Sequence, residues 1–360
     1  MAVSAPTAII TTSKTASGIA CIVIGMVFFC VQDVMMKILM PDYSLWQLVT
    51  SRWVTALIIL VPVIMWLGPP HRLFSPLVGI HFTRACLLAF GFSLFYAAFP
   101  FMGLAEVTTI FFAAPLFTAL LAAIFLGERI GIQRLMCLLI GFAGVVIAMA
   151  PSGDTFRWIA LLPLTCAICY AISQVLARRI GERETTLTMG LYAIVLSTIF
   201  MMPLGYLIDD FIEPDGAFRH LRWQWELHKT SDLLVFAVLG VIGTLGYLAL
   251  TRAYQIANAS LIAPFDYSYM PFAIVIAYLL FDEWPTNNTL IGMVLIAVSG
   301  IYLGYREIQQ ARRAEEPAPT GEVVFVPGHP GSALIHASDT LETYDQSGPE
   351  DDGENVHRPL

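Results

Sequence analysis

An acid and a base, Asp33 and Lys37, lie four residues apart in the apolar segment VFFCVQDVMMKILM, residues 27–40. In a helix this spacing places the two side chains on one face, where they can pair. An ionisable group inside a membrane costs roughly 2.5–3.5 kcal/mol on insertion scales and usually contributes to function. We therefore expect Asp33 and Lys37 to form a pair that faces a cavity, each lowering the cost of burying the other. The alternative for Lys37 is that its long stem carries the charge out to the interface.

Other polar side chains within apolar segments could contact a substrate. Arg52, about two turns into the second segment, could bind an anionic or carbonyl group or could pair with Asp33. Asp266 follows Pro264, which has no N–H and tends to open a helix, and irregular backbone at membrane depth is tolerated where it lines a cavity. A planar substrate ring could also stack on aromatic faces. The remaining candidates are Tyr267, Gln174, Tyr96 and Tyr170.

Four further charged residues are expected to have structural roles. Arg84 and Glu106 lie near the edges of apolar segments, where anchoring is the simpler interpretation, and Glu128 and Glu283 end two similar helices beside loops. The six cysteines lie inside apolar segments, where packing explains them best. No cluster of residues has the spacing of metal ligands, so we expect neither a metal nor a cofactor.

The elements that position these residues follow from composition. Of the 360 residues, 57% are hydrophobic and 13% are charged, whereas soluble proteins carry about 25% charged residues. Apolar segments of roughly 20 residues, the length that crosses a bilayer as a helix, recur along the chain. The sequence predicts an all-α membrane protein with ten transmembrane helices, at about 18–40, 45–67, 82–103, 106–126, 132–150, 157–178, 186–208, 231–251, 257–281 and 287–305.

The ends of the chain differ from this membrane body. Residues 1–17 precede the first span, and residues 314–360 form an acidic tail, rich in Pro, Gly and Ser, that we expect to be disordered. The tail accounts for the net charge of −8. Lys and Arg concentrate on the side of the membrane where the N-terminus lies, which predicts that both termini are cytoplasmic in an inner-membrane protein. The expected partners are the bilayer and a small-molecule substrate, without nucleic acid, while a homodimer remains open.

The membrane body repeats itself. PLFTALLAAIFLGERI (115–130) matches PFAIVIAYLLFDEWP (271–285), and VQDVMMK (31–37) aligns with ISQVLAR (172–178). The second alignment pairs Asp33 with Gln174 and Lys37 with Arg178. The two halves are residues 18–150 and 157–305, and five spans in each half require opposite orientations in the membrane. Inverted repeats are typical of secondary transporters, which bind substrate at the repeat interface near the middle of the membrane.

These segments also resemble a known family. AEVTTIFFAAPLFTALLAAIFLGERI (105–130) and ASLIAPFDYSYMPFAIVIAYLLFDEWP (259–285) resemble the two halves of EamA-domain carriers in the drug/metabolite transporter superfamily. The resemblance implies two inverted EamA repeats of five helices each and alternating access. YSLWQLVTSR (43–52) is most similar to bacterial riboflavin uptake transporters, whereas QDVMMK (32–37) and TRACLL (83–88) are similar to S-adenosylmethionine uptake carriers.

The expected function is therefore secondary transport of a small organic metabolite across the cytoplasmic membrane. Riboflavin or a similar planar heteroaromatic compound fits the aromatic content and the near balance of buried acids and bases. S-adenosylmethionine, an amino acid or another metabolite is the alternative within the superfamily. An intramembrane enzyme is disfavoured because the sequence has neither a nucleophile elbow nor an HExxH motif. A channel is disfavoured because channels are more often built as rings in symmetric oligomers.

Overall fold

The computed structural model describes residues 7–68, 74–126, 132–149, 158–180, 185–212, 214–256 and 263–313. Within these ranges the chain forms eleven α-helices and no β-strand. Short 3₁₀ turns lie at Trp158–Ala160, Gly216–Leu221 and Ala263–Ser268. The helices are α1 Thr7–Leu39, α2 Leu45–Leu67, α3 Val78–Ala97, α4 Leu104–Phe111, α5 Ala114–Leu126, α6 Ile132–Met149, α7 Leu161–Ile180, α8 Thr186–Ile212, α9 Asp232–Ile256, α10 Tyr269–Phe281 and α11 Asn287–Arg313.

These helices contain ten apolar segments. Eight are long and apolar enough to cross a membrane, and Leu135–Met149 and Phe265–Phe281 are two shorter apolar helical segments. The prediction of an all-α membrane protein with ten apolar spans is thus confirmed for the part of the chain that the structure describes. Helix α1 begins at Thr7, well before the predicted start at residue 18, because no glycine or proline interrupts residues 7–17. The predicted acidic tail, 314–360, lies outside the described residues.

Two of the ten segments are interrupted. The fourth was predicted as one span over 106–126, but α4 ends at Phe111 and α5 begins at Ala114. Pro115 lies in the first turn of α5, where its missing N–H costs no helical hydrogen bond. The ninth segment begins as the 3₁₀ turn Ala263–Ser268, which contains Pro264, before it continues as α10. Both interruptions occur in the same segment of their respective repeats, and the second contains Asp266, as the proline suggested.

The contacts between helices show how the two halves are related. We number the segments 1 to 10 in chain order, so that α4 with α5 is segment 4 and the 3₁₀ turn with α10 is segment 9. The contact between segments 1 and 8 corresponds to the contact between segments 6 and 3. In the same way, the contact between segments 2 and 8 corresponds to that between 7 and 3, and the contact between segments 1 and 9 corresponds to that between 6 and 4. Segments 2 and 7 pair with each other, as do 5 and 10. When the numbers of the two halves are exchanged, each of these contacts becomes one of the others or stays the same. A two-fold repeat requires this relation.

Small residues allow the closest of these contacts. A Cβ on Gly144 of α6 would lie 3.0 Å from the carbonyl oxygen of Gly292 in α11, so a larger side chain has no room there. On α9, a Cβ on Gly240 would lie 2.9 Å from the carbonyl oxygen of Arg52, and one on Gly246 would lie 3.0 Å from the ring of Phe29. Such glycines let helix backbones approach in a membrane. Helix α9 packs on both α1 and α2 and so positions the polar residues of these two helices.

The longest loop is fastened to the start of α2. The indole Nε1 of Trp46 donates to the carbonyl of Leu221 at 2.7 Å. The amide of Gln47 makes two bonds to the backbone of Glu226, of 2.8 and 3.2 Å. Gln47 therefore holds the loop, which is a structural role for a residue of the segment that resembles riboflavin transporters.

Candidate functional site

A buried polar network joins both repeats around Asp33. The hydroxyl of Tyr96 donates to Oδ1 of Asp33 at 2.9 Å, and the hydroxyl of Tyr269 donates to Oδ2 at 2.7 Å. Arg52 Nη1 donates to the Tyr96 hydroxyl at 2.7 Å. All four side chains are buried, with Asp33 0% exposed. Because α1, α2 and α3 belong to the first repeat and α10 to the second, the network lies at the repeat interface.

The network keeps capacity to bind another molecule. Each oxygen of the Asp33 carboxylate has two lone pairs, and each accepts one hydrogen bond from a phenol. The Nε and Nη2 groups of Arg52 are buried and have no partner among the described residues. Unpaired buried donors cost free energy, and a bound carbonyl or anionic group would relieve that cost. The sequence-based expectation that Arg52 could contact substrate therefore stays open, through Nε and Nη2.

The predicted pair of Asp33 and Lys37 is wrong. Lys37 Nζ instead contacts Glu283 of the second repeat, at 2.5 Å from Oε1 and 2.6 Å from Oε2. Oε2 also accepts the backbone N–H of Leu104 at 3.2 Å, so this ion pair connects α1, the start of α4 and the end of α10. The four-residue spacing does place both side chains on one face, but the long stem of Lys37 reaches beyond Asp33 towards the helix end. The short Asp33 side chain stays with the two phenols.

Glu283 is a residue that sequence reasoning assigned only to helix-end structure. The α10 helix ends at Phe281, and Asp282 adopts the left-handed conformation with φ 55°. This turn lets the N–H of Glu283 bond to the carbonyl of Ala277 at 3.2 Å and directs the carboxylate towards Lys37. The sequence contained one signal that could have pointed to Glu283, namely the internal repeat, which aligns it with Glu128. Residue 128 and the side chain of Arg178, the counterpart of Lys37, lie outside the part of the chain that the structure describes.

The other predicted residues lie in two further places. Asp266 is buried in the 3₁₀ turn three residues before Tyr269. The ring of Tyr267 lies 5.4 Å from that of Phe112, between their centroids, and its hydroxyl packs on Gly300. Of the tyrosines in this region, Tyr269 is the one that donates a hydrogen bond to Asp33.

Gln174 and Tyr170 form a separate group with Arg84. The Gln174 amide donates to the Tyr170 hydroxyl at 2.6 Å, one turn away on α7. Arg84, expected as an anchor at a span edge, is 1% exposed, and its Nε donates to the carbonyl of Ser173 at 3.2 Å. The expectation for Arg84 is wrong because α7 packs on α3 and covers it.

A continuous set of aromatic rings connects the two groups. The Tyr96 ring lies 5.2 Å from Phe95, Phe95 lies 5.1 Å from Phe111, and Phe111 lies 5.6 Å from Tyr170, measured between ring centroids. Phe92 contacts Phe95, Phe111 and Tyr170. The predicted residues Tyr96 and Tyr170 thus stand at opposite ends of one aromatic wall.

A cavity of about 1190 Å³ opens at one face of the helix bundle. It is lined by the loops after segments 1, 3, 7 and 9, and by both partners of the Lys37–Glu283 pair. We call this cavity the vestibule. Its lining includes Asp42, Glu106 and Arg219, whereas Asp33 and Arg52 lie buried beneath it. A substrate of a few hundred daltons fits such a volume.

Comparison with known proteins identifies the family. The model of the EamA-like transporter family matches residues 16–150 and 157–305. The chain belongs to this family. As an EamA-like transporter with ten apolar segments, it is a multi-pass membrane protein that transports a small metabolite.

Relatives of this EamA-like transporter include proteins named for two different substrates. The S-adenosylmethionine uptake transporter of Rickettsia conorii is 25% identical over 300 residues, which are 83% of this chain and 96% of that protein. The riboflavin transporter of Vibrio cholerae is 27% identical over 267 residues, 73% of this chain and 83% of that one. A solved structure described as "Crystal structure of protein" has a TM-score of 0.50 at 16% identity, covering 82% of this chain and 99% of that chain, and supports the fold.

Proposed function

We propose that this EamA-like transporter is a secondary carrier that moves its substrate by alternating access between the two repeats. The observation that carries the proposal is the buried network around Asp33. It joins helices of both repeats at the repeat interface, where inverted-repeat carriers bind their substrates. A channel would need a continuous open pore, whereas Asp33, Tyr96, Tyr269 and Arg52 are all buried beneath the vestibule.

We propose a substrate that combines a fused heteroaromatic ring with several hydroxyl groups. Riboflavin and S-adenosylmethionine, the compounds for which relatives are named, share this chemistry, while an amino acid without a ring is a weaker alternative. The rings of the aromatic wall from Tyr96 to Tyr170 are buried against one another in the described conformation. Their faces would become available for stacking when the repeats move apart. Asp33 and Arg52 offer an acceptor and donors for polar groups of the substrate.

The proposed membrane is the bacterial cytoplasmic membrane, with both termini in the cytoplasm. The distribution of Lys and Arg supports this orientation, and the vestibule would then open away from the cytoplasm. Reporter fusions after residue 313 and within the loop 214–230 test it. The first should report a cytoplasmic location and the second an external one, and the opposite result would reverse the orientation.

In the described conformation, we propose that the Lys37–Glu283 pair closes the path from the vestibule to the Asp33 network. The pair links the first repeat to the second at the floor of the vestibule, so it must separate when the repeats move apart. This contact makes Glu283, which the sequence analysis assigned to helix-end structure, part of the transport cycle.

Counterflow in proteoliposomes tests the proposal. Vesicles preloaded with unlabelled riboflavin or S-adenosylmethionine receive a trace of the same labelled compound outside, and a carrier gives a transient accumulation of label. Protein-free vesicles and the Asp33→Asn variant serve as controls and should show none. Equilibration of label without a transient would indicate a channel, and absence of uptake for both compounds would reject the proposed substrate class.

A further inference from the structure

Arg84 is a buried charge without an acidic partner. It is 1% exposed, and no salt bridge joins it to an acid among the described residues. Its Nε donates to the carbonyl of Ser173, but its Nη1 has no partner within the same ranges. The hydroxyl of Ser173, also fully buried, likewise has none. Two donors with unused capacity therefore belong to two residues that contact each other.

Such an arrangement is costly unless something else binds to it. An uncompensated charge inside a membrane protein is disfavoured and usually marks a substrate or ion path. A buried donor without an acceptor adds a further penalty. The electrostatic neighbours of Arg84 are the phenols of Tyr170 and Tyr247 and the imidazole of His81. None of these groups carries a negative charge that could neutralise a guanidinium at physiological pH. An anionic group would satisfy Arg84 Nη1 and Ser173 Oγ together.

Arg84 and Asp33 lie at similar distances from opposite faces of the membrane. Asp33 precedes the end of α1 by six residues, and Arg84 follows the start of α3 by six residues, which is about 9 Å in each helix. Helix α1 ends at the vestibule, whereas α3 begins at the other face, since the residues after its end line the vestibule. In a hydrocarbon layer of about 30 Å, the two groups differ in depth by roughly 12 Å.

The aromatic wall runs between these two groups. It begins at Tyr96, which bonds to Asp33, and ends at Tyr170, which is the neighbour of Arg84. A substrate that spans the distance would place one polar end at each group and its ring along the wall.

We propose that Arg84 and Ser173 form an anion-binding pole of the transport site, opposite an acidic pole at Asp33. This inference rests on the proposed function and narrows its substrate class. The substrate carries a carboxylate at one end, a cationic or hydrogen-bond-donating group nearer the other, and a ring between or beside them. S-adenosylmethionine has this dipolar character, whereas riboflavin has no carboxylate for Arg84 to bind.

Thermal unfolding of the purified full-length protein in detergent tests the pole without requiring transport. The probes are S-adenosylmethionine, its decarboxylated analogue, which keeps the sulfonium charge, and riboflavin. For the wild type we expect S-adenosylmethionine to raise Tm at the lowest concentration. In Arg84→Gln the half-maximal concentration of S-adenosylmethionine should rise roughly tenfold or more, because a hydrogen bond to a charged group is lost. The value for the decarboxylated analogue should stay within about threefold.

Two further variants keep the test decisive. Arg252→Gln removes the same charge from an exposed position of α9 and should leave all three probes unaffected. Ser173→Ala removes only the hydroxyl and should weaken S-adenosylmethionine selectively even if Arg84→Gln fails to fold.

Three outcomes would contradict the proposed anion-binding pole. They are equal weakening of both sulfonium probes in Arg84→Gln, stabilisation of the protein by riboflavin alone, and stabilisation by none of the probes. The proposed function fails separately, if counterflow is absent although S-adenosylmethionine stabilises the protein in an Arg84-dependent manner.

Discussion

Neutralising Glu283 should open the path between the vestibule and the Asp33 network. Glu283→Gln removes the charge that Lys37 contacts at 2.5 and 2.6 Å, but it retains an oxygen that can accept the N–H of Leu104. Exposed ion pairs contribute roughly 0–1 kcal/mol, and breaking a buried pair costs about 3–5 kcal/mol. The side chains of Lys37 and Glu283 are 12% and 34% exposed, so an intermediate value of roughly 1–3 kcal/mol applies. A bias of that size changes the ratio of open to closed protein by about 5–150-fold.

Native Cys30 can report this opening. It is fully buried on α1, one turn from Asp33 on the side away from Lys37. In protein that keeps Cys30 as its single cysteine, a membrane-impermeant maleimide added on the vestibule side should label the wild type slowly. If labelling requires the open state, Glu283→Gln should accelerate it by roughly the same 5–150-fold. The charge swap Lys37→Glu with Glu283→Lys should restore slow labelling.

A second ion pair at the same face provides the control. Arg222 and Asp215 approach to 3.6 Å within the long loop, with side chains 40% and 88% exposed, and they do not join the repeats. Asp215→Asn should leave the labelling rate of Cys30 unchanged. If Glu283→Gln is inserted normally and labels no faster than the wild type, the Lys37–Glu283 pair does not close the path and the reasoning from its geometry is wrong.

Three other predictions concern the network and the packing. Asp33→Asn removes the charge that two phenols and Arg52 surround, so initial uptake normalised to inserted protein should fall to background; normal uptake would show that the network only supports folding. Arg52→Gln should raise the half-saturating substrate concentration more than it lowers the amount of inserted protein, and an unchanged concentration dependence would exclude substrate contact by Arg52. Gly292→Val places a Cβ 2.5 Å from the Gly144 carbonyl oxygen, so Tm of the purified protein should fall, whereas Gly304→Val, at a position with no atom near its Cβ, should have little effect.

The wrong prediction of a pair between Asp33 and Lys37 shows what the spacing of residues in a helix can and cannot predict. A spacing of four residues correctly indicates a shared helix face, but it leaves open which partner each side chain selects. Lys37 pairs with Glu283, 246 residues away in sequence. Asp33 accepts hydrogen bonds from Tyr96 and Tyr269, of which Tyr269 was not among the candidate residues. A partner so distant in the chain becomes available only when the two repeats pack together.

Arg84 illustrates a second limit. Hydropathy placed it near the edge of a span, where a charge normally faces the interface, yet α7 covers it completely. Burial of an edge residue depends on the neighbouring helix, which the local sequence does not contain. The interruption of the fourth segment between Phe111 and Ala114 was missed for a related reason, since Pro115 is compatible both with a continuous helix start and with a break.

The sequence by itself determined the class, the number of apolar segments and the internal repeat. A bilayer requires every backbone polar group to be bonded within the protein, so long apolar segments have to be helices. An odd number of spans in each repeat then implies opposite orientations. The tertiary structure alone decided which polar groups meet: Asp33 with two phenols, Lys37 with Glu283, and Arg84 with Ser173. These contacts cross between helices that are distant in the chain, and their geometry depends on how closely glycines such as Gly144 and Gly240 let those helices approach.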